Sequence, residues 1–223
     1  MKIRIRFAKQ GMMKFVGHLD MVRYFQKVMR RANVDIVYSE GFSPHPKMSF
    51  AAPLGVGIIS RGEYFDIEVN STKSSRIMME ALNRQNVEGV EVLSYKSLPK
   101  EAKNAMSIVA GADYFVYLDR FSKDVTDKFY HQQSIPVLKK TKRSEKIVDI
   151  KPMIYEMERR DNGIFMKVVQ GSAANLKPEL VIQELAQFAN VTLPEFVQYE
   201  RLDMYCLKED RWTSLDDVGG WIE

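Results

Sequence analysis

The stretch KIRIRFAKQGMMKFVGHLDMVRYFQKVMRRAN, Lys2 to Asn33, decides how the chain is read. Ile3, Ile5 and Phe7 alternate with Lys2, Arg4 and Arg6, the two-residue period of a half-buried strand. Met21, Val22, Phe25, Val28, Met29 and Ala32 then recur at helical spacing and predict an amphipathic helix over residues 19–33. His18 or Asp20 is the candidate N-terminal partner, and Asp20 in the first turn suits the helix dipole. A strand that hands over directly to a helix opens a βαβ-type unit.

The pattern outward from that stretch completes the unit. Strands are expected over residues 35–39, 48–52 and 63–69. Ile77, Met78, Ala81 and Leu82 mark a second helix, with Ser74 or Ser75 as its cap, and residues 90–95 read as a closing strand. The order β-α-β-β-α-β is the ferredoxin-like pattern. LPKEAKN, residues 98–104, reads as a linker. The order then recurs: a strand over 112–118, a helix over 125–133, a short strand over 135–139. Runs 147–158 and 164–170 flank RRDNG, where Asn-Gly predicts a hairpin. A helix over 178–189 starts on Pro178, and a last strand covers 199–207. The expectation is an α+β chain of two tandem ferredoxin-like units with antiparallel sheets, spanning 1–100 and 105–223. The tail from Lys208 is acidic but carries Trp212 and Trp221, so it either packs on the body or docks a partner.

The 223 residues are 45% hydrophobic and 28% charged, which fits a soluble globular protein. No apolar run reaches membrane-spanning length, and MKIRIRF reads as a strand, not a signal peptide. Cys206 is the sole cysteine, so no internal disulfide or cysteine cluster forms, and a cytoplasmic setting is expected. No phosphate loop, dinucleotide fingerprint or nucleophile elbow occurs. His18, His45 and His131 lack ligand spacing, so neither metal nor cofactor is expected. Carboxylates at alternate strand positions, such as Asp66 and Glu68, read as a solvated sheet face.

Charge is unevenly placed. Residues 1–34 hold nine Lys/Arg against Asp20 alone, while the chain from Glu195 holds eight acids against three bases. This asymmetry points to an anionic partner at the N-terminal face, or to solvated charge spread over several faces. Arg23, Lys27 and Arg30 form a helical stripe with Arg31 beside it, a row that suits successive phosphates, with Tyr24 placed to stack on a base. KKTKRSEKIVDIK, from Lys139, adds Lys139, Lys140, Lys142 and Arg143 in an expected loop. YSEGFSPHPKMSFAAPLGVG, Tyr38 to Gly57, is stiffened by Pro44 and Pro46 around His45. It reads either as a rigid connector or as a recognition loop presenting Tyr38, Phe42, His45 and Lys47. His45 as a general base needs an acid that the sequence does not reveal, and His18 reads as a packing histidine or as a phosphate or acid–base contact.

FVGHLD, the Arg30-Arg31-Ala32 helix end, Tyr38-Ser39, Gly41-Phe42, Pro44-His45-Pro46, Pro53-Leu54 and Gly57 together resemble the bacterial radical-SAM-linked protein family. Glu63, Tyr64 and Asp66, Val148 to Lys151, and Leu176-Lys177-Pro178-Glu179 resemble its later motifs. The resemblance implies an RNA-binding accessory that works with a separately encoded radical SAM enzyme, because this chain carries no radical SAM module. Its expected contacts are Arg23, Lys27, Arg30, Arg31, Tyr38, Phe42, His45, Lys47, Lys139, Lys140, Lys142 and Arg143, in tRNA or rRNA modification or processing. Two alternatives stand beside it. One is a metal-independent RNA endonuclease using His18, by fold-level analogy to endonucleases built from two ferredoxin-like units. The other is a protein-docking module that touches no RNA.

Overall fold

The computed structural model describes residues 1–140 and 145–223. The first half runs β1 (Lys2–Lys9), α1 (His18–Arg31), β2 (Met48–Phe50), β3 (Ile59–Glu68), α2 (Ser75–Asn83) and β4 (Val90–Ser97). The second runs α3 (Ala105–Ile108), β5 (Val109–Tyr117), α4 (Lys123–Tyr130), β6 (Pro136–Lys140), β7 (Glu145–Asp149), β8 (Ile154–Arg160), β9 (Gly163–Val169), α5 (Pro178–Ala189) and β10 (Gln198–Lys208). β11 (Arg211–Ser214) and β12 (Gly220–Trp221) complete the chain.

Mixed α+β architecture is thus present, but the sheets are not separate. Ten strands form one mostly antiparallel sheet in the order β12-β4-β1-β3-β10-β5-β9-β8, with β2 on β3 and β11 on β10; β6 and β7 pair apart from it. The joint is the parallel contact of β3 with β10, Ile59 opposite Glu200 and Ser60 opposite Arg201. Fusing the halves here pairs two edges that would otherwise stand open. Gly62 makes the crossing possible: a Cβ there would sit 2.4 Å from the Cα of Asp203.

Two apolar cores lie along the sheet. Phe7, Phe25, Phe50 and Phe65 interlock in the first, with ring centroids 4.7–6.1 Å apart, mixing edge and stacked contacts that favour aromatic clusters. In the second, Val181, Ile182, Leu185 and Ala186 of α5 are buried with strand residues such as Val116 and Met166.

Part of the opposite face is closed by the linker and the tail. The tail packs on the body: β11 pairs with β10, β12 pairs with β4, and Lys96 meets Asp216 at 2.6 Å. Arg4 and Lys9 are buried, and Arg6 donates to the Arg61 carbonyl at 3.0 Å. Part of the N-terminal charge excess is therefore internal wiring and not surface. Asp66 is not a solvated carboxylate either; it is buried against Arg4. Residues 35–39 make only the isolated bridges Ile36–Val69 and Tyr38–Pro46 instead of a strand, because this segment turns into the stem of a hairpin. Ser74 makes no capping bond; Ser75 Oγ instead accepts from the Ile222 amide at 2.8 Å and fastens the C-terminus.

Candidate functional site: a cleft between the two halves

β3 carries Glu63 on the face that α1 covers, and Arg201 of β10 reaches it from the other half. Arg201 Nε and Nη2 donate to the two Glu63 oxygens at 2.7 and 2.6 Å, a bidentate pair with both partners buried. The same guanidinium donates to the carbonyls of Ala52 (3.3 Å) and Pro53 (3.5 Å), and to the Tyr114 hydroxyl at 3.3 Å. Tyr114 donates to Gln170 Oε1 at 3.1 Å. One buried arginine thus fixes the Ala51–Leu54 turn of the first half against β5 and the β9–α5 connection of the second.

Above this floor lies a cleft of about 630 Å³. Its first wall is the N-terminus of α1 with His18 and Val22, together with β2 and the Pro53-Leu54-Gly55 turn. Its second is Tyr114 and the segment from Gln170 to Glu179. The volume falls in the range of small-molecule sites, roughly 300–1,000 Å³. A groove of about 710 Å³ beside α2 and Trp221 is larger but more open, and the surface it exposes is mostly apolar.

His18 touches Phe50 edge-on at 5.4 Å and makes no hydrogen bond among the described residues. Burial holds its imidazole below the ordinary histidine range; Glu63 opposes this, and Arg201 and Lys9 reinforce it. Lys9 sits beneath, donating to the Val16 carbonyl at 2.7 Å, with its own pKa lowered chiefly by burial. Across the cleft, Glu179 Oε2 is buried without a hydrogen-bond partner.

Residues 2–178 match a family described as an uncharacterized protein conserved in bacteria (DUF2344). The chain belongs to this family. Of the segments that carried the sequence resemblance, which are far apart in the chain, His18, Pro53-Leu54, Glu63 and Leu176-Lys177-Pro178-Glu179 meet at this one cleft or directly beneath it, while the hairpin residues Tyr38 to Pro46 do not line it. Glu179 lies one residue beyond the matched range. No curated protein matches the chain. Among solved structures, a chain of "Crystal Structure of a Cbf5-Nop10-Gar1 Complex" is similar at TM-score 0.47 and 11% identity, over 93% of this chain and 50% of that one. This chain spans half the length of that chain, and at that TM-score the likeness carries no functional argument.

The residues singled out from sequence fall into three places. Arg23, Lys27 and Arg30 are exposed along α1; Arg23 pairs only with exposed Asp20, and Arg31 leans away to the Gln85 carbonyl at 3.0 Å. Tyr24 is not free to stack, because its hydroxyl donates to Asn86 and accepts from the Val87 amide. Tyr38, Phe42 and His45 share the hairpin that leads into β2. Ser39 and His45 bond backbone to backbone, Ser39 Oγ meets His45 Nδ1 at 2.9 Å, Gly41 takes φ +107°, and Phe42 is fully exposed at the tip. No acid among the described residues partners His45, and Lys47 pairs with Glu68. Neither Phe42 nor His45 lines the cleft. Lys139 and Lys140 end β6, where they oppose Lys146 and Glu145. Their side chains, and Lys142 and Arg143 altogether, lie outside the described residues.

Sequence reasoning missed Arg201, Tyr114 and Gln170 as parts of one site. It also missed an exposed platform: the Lys14 ammonium lies 5.2 Å from the Phe15 ring and 5.1 Å from the Phe196 ring, and the Lys14 carbonyl holds the Gly57 amide. The MKF segment beside FVGHLD was the available signal for its first half.

Proposed function

We propose that the protein is a non-catalytic RNA-binding accessory that works with a separate radical SAM enzyme in tRNA or rRNA modification or processing. The observation that carries this reading is the exposed row Arg23, Lys27 and Arg30 on a rigid helix whose first residue, His18, borders the cleft. Cations spaced along a helix meet successive phosphates, while Phe15 and Phe196 around Lys14 offer faces for bases. Phe42 and Tyr38, exposed on the stiff hairpin, add a second stacking position. We read each half as a ferredoxin-like unit, since β4-β1-β3-β2 and β10-β5-β9-β8 repeat one strand order. Such a role places the protein in the cytoplasm; no helix among the described residues is long and apolar enough to cross a membrane.

The endonuclease reading draws less support, because His18 has no proton-transfer partner within hydrogen-bond reach among the described residues. The docking reading retains one specific observation. Phe15, Val56 and Phe196 are large, exposed and gathered around Lys14 and Gly57, which gives a separate enzyme an apolar foothold.

The test is a salt titration of RNA binding by fluorescence anisotropy. Single-stranded RNA is expected to bind with affinity that falls steeply with salt. Replacing Arg23, Lys27 and Arg30 together by Gln removes three phosphate contacts and flattens the log–log slope by about 2. Absent or salt-insensitive binding overturns the reading.

A further inference from the structure

The face of the sheet turned away from the helices is covered in the first half but not throughout the second. Linker and tail lie over Arg4 and Asp66, and β11 of the tail follows β10 only from Tyr205 to Lys208. Ala112, Tyr114 and Val116 of β5 and Ile164, Met166 and Val168 of β9 are buried in the second core, so Phe115, Tyr117 and Phe165 point to the other side. Phe115 stands beside Phe165 in the β5–β9 register and beside Glu200 in the β5–β10 register. Glu200, its side chain 2% exposed, fixes two planar groups. The Tyr117 hydroxyl donates to its Oε2 at 2.5 Å, and Arg61 Nε donates to its Oε1 at 2.6 Å. Phe115 lies against Gly163, where a Cβ would come within 2.7 Å of its ring, and it meets Tyr117 edge-on at 4.8 Å. At the far end the Arg160 guanidinium sits 3.7 Å over the Phe165 ring, held by Glu158.

A strip of planar groups therefore crosses this face from Arg61 through Tyr117 and Phe115 to Arg160. Tyr117 is 39% exposed, and the Arg61 and Arg160 side chains are 55% and 47% exposed. Hydrogen bonds and stacking hold these groups before any ligand arrives, so little ordering cost remains. The carboxylate that pairs with Arg61 is sealed beneath the strip, which leaves the cationic side of that pair outward. Glu158 is exposed beside Arg160, so Arg160 serves through its plane and Arg61 through its charge. Such a surface suits flat groups on an anionic backbone. Unpaired bases stack on aromatic rings and guanidinium planes, whereas a duplex keeps its bases stacked on one another. The strip is also continuous with the Lys14 platform, because Gln198 stands opposite Tyr117 in the register and accepts from Lys14 Nζ at 2.9 Å. We propose that this open face is a second, base-stacking site for single-stranded RNA, in which Tyr117 and Arg160 each carry a base and Arg61 meets the backbone. The site rests on the RNA reading and extends the path of the strand from α1, past Lys14, onto the opposite face.

Anisotropy titrations of the full chain with labelled oligouridine, and with a duplex RNA of equal length, test the site. Tyr117→Leu is expected to weaken oligouridine binding roughly tenfold while the salt slope stays unchanged. Tyr117→Phe keeps the ring, loses only the bond to Glu200, and is expected to bind like the parent. Arg160→Lys keeps the charge but not the plane; it is expected to weaken oligouridine binding several-fold, and it carries the test should Tyr117→Leu fail to fold. Duplex binding is expected to respond to none of these variants. Oligouridine binding that neither Tyr117→Leu nor Arg160→Lys changes overturns the stacking site and leaves the RNA reading intact. A loss in Tyr117→Phe as large as in Tyr117→Leu also overturns it, since the hydroxyl and not the ring would then matter. A parent that binds no RNA overturns the RNA reading and the site with it. Binding that Tyr117→Leu and Arg160→Lys weaken, but the triple Gln variant of α1 does not, upholds the stacking site and overturns the α1 row as the carrier of the RNA reading.

Discussion

Two arginine–carboxylate pairs stand back to back on β3. Asp66 takes Arg4 bidentately at 2.8 and 2.9 Å, and Glu63 takes Arg201 at 2.7 and 2.6 Å. Residues 63 and 66 are an odd number apart, so the pairs face opposite sides of the sheet. Their surroundings differ. Arg4 spends its remaining donors on the Leu215 and Lys103 carbonyls, and Asp66 accepts from the Ala105 amide at 2.7 Å. The bonds beyond the pair itself clamp the linker, the start of α3 and the tail to the back of the sheet. Arg201 instead holds the Ala52 and Pro53 carbonyls and the Tyr114 hydroxyl under an open cleft. The same chemistry serves assembly on one face and site geometry on the other.

The largest effects break either pair. Asp66→Ala or Glu63→Ala leaves a guanidinium buried and unpaired, and each is expected to cost about 3–5 kcal/mol in urea unfolding. Replacing both partners separates the faces. Arg4→Met with Asp66→Leu, and Arg201→Met with Glu63→Leu, are each expected to fall within about 1–2 kcal/mol of the parent, since well-packed apolar residues often substitute for a buried pair. The first double variant keeps RNA binding, while the second weakens it because the Pro53-Leu54-Gly55 wall is no longer anchored. Equal binding by both would show that the Arg201 pair is architectural, like its counterpart.

The difference between the pairs also explains what the sequence could reveal. Local periodicity located β1 through Ile3, Ile5 and Phe7, α1 through Phe25 and Met29, the β8–β9 hairpin through Asn162-Gly163, and the start of α5 through Pro178. These signals depend on near neighbours in the chain. Arg201 and Glu63 lie 138 positions apart, and nothing local marks either as buried. Asp66 looked solvated for the same reason, because Arg4 becomes its partner only once β1 and β3 pair. β11 and β12 are only four and two residues long, too short for a local pattern, and they are strands only because β10 and β4 supply the ladder. His18 was visible as a candidate, but the cleft it borders was not, since its second wall comes from Tyr114 and Gln170–Glu179. The joining of two expected sheets into one rests on Gly62, whose bare Cα admits the β10 backbone.

A smaller effect concerns the hairpin, which neither pair supports. Phe42→Ala removes a fully exposed ring, so unfolding by urea is expected to change by less than about 0.5 kcal/mol. If Phe42 stacks on a base, RNA affinity falls by about 1–3 kcal/mol while the salt slope is unchanged. Unchanged affinity would leave the hairpin as a stiff connector.

The smallest expected effect lies in the pH dependence on the cleft side. The folded state holds the His18 imidazole below its ordinary range, first through burial and then through Arg201 and Lys9 against the opposing Glu63. The unfolded chain therefore binds a proton at His18 before the folded chain does. Protons favour the state that binds them more readily, so stability is full above about pH 6.5 and declines as pH falls below it. His18→Gln removes this contribution, and urea unfolding between pH 7 and pH 5 should then show a shallower decline than the parent. The back-face pair, with no histidine among its partners, should give no such difference when Arg4 and Asp66 are replaced. A parent and His18→Gln with parallel stability curves would mean that His18 is solvated in both states, and that the cleft's electrostatic floor does not reach its mouth.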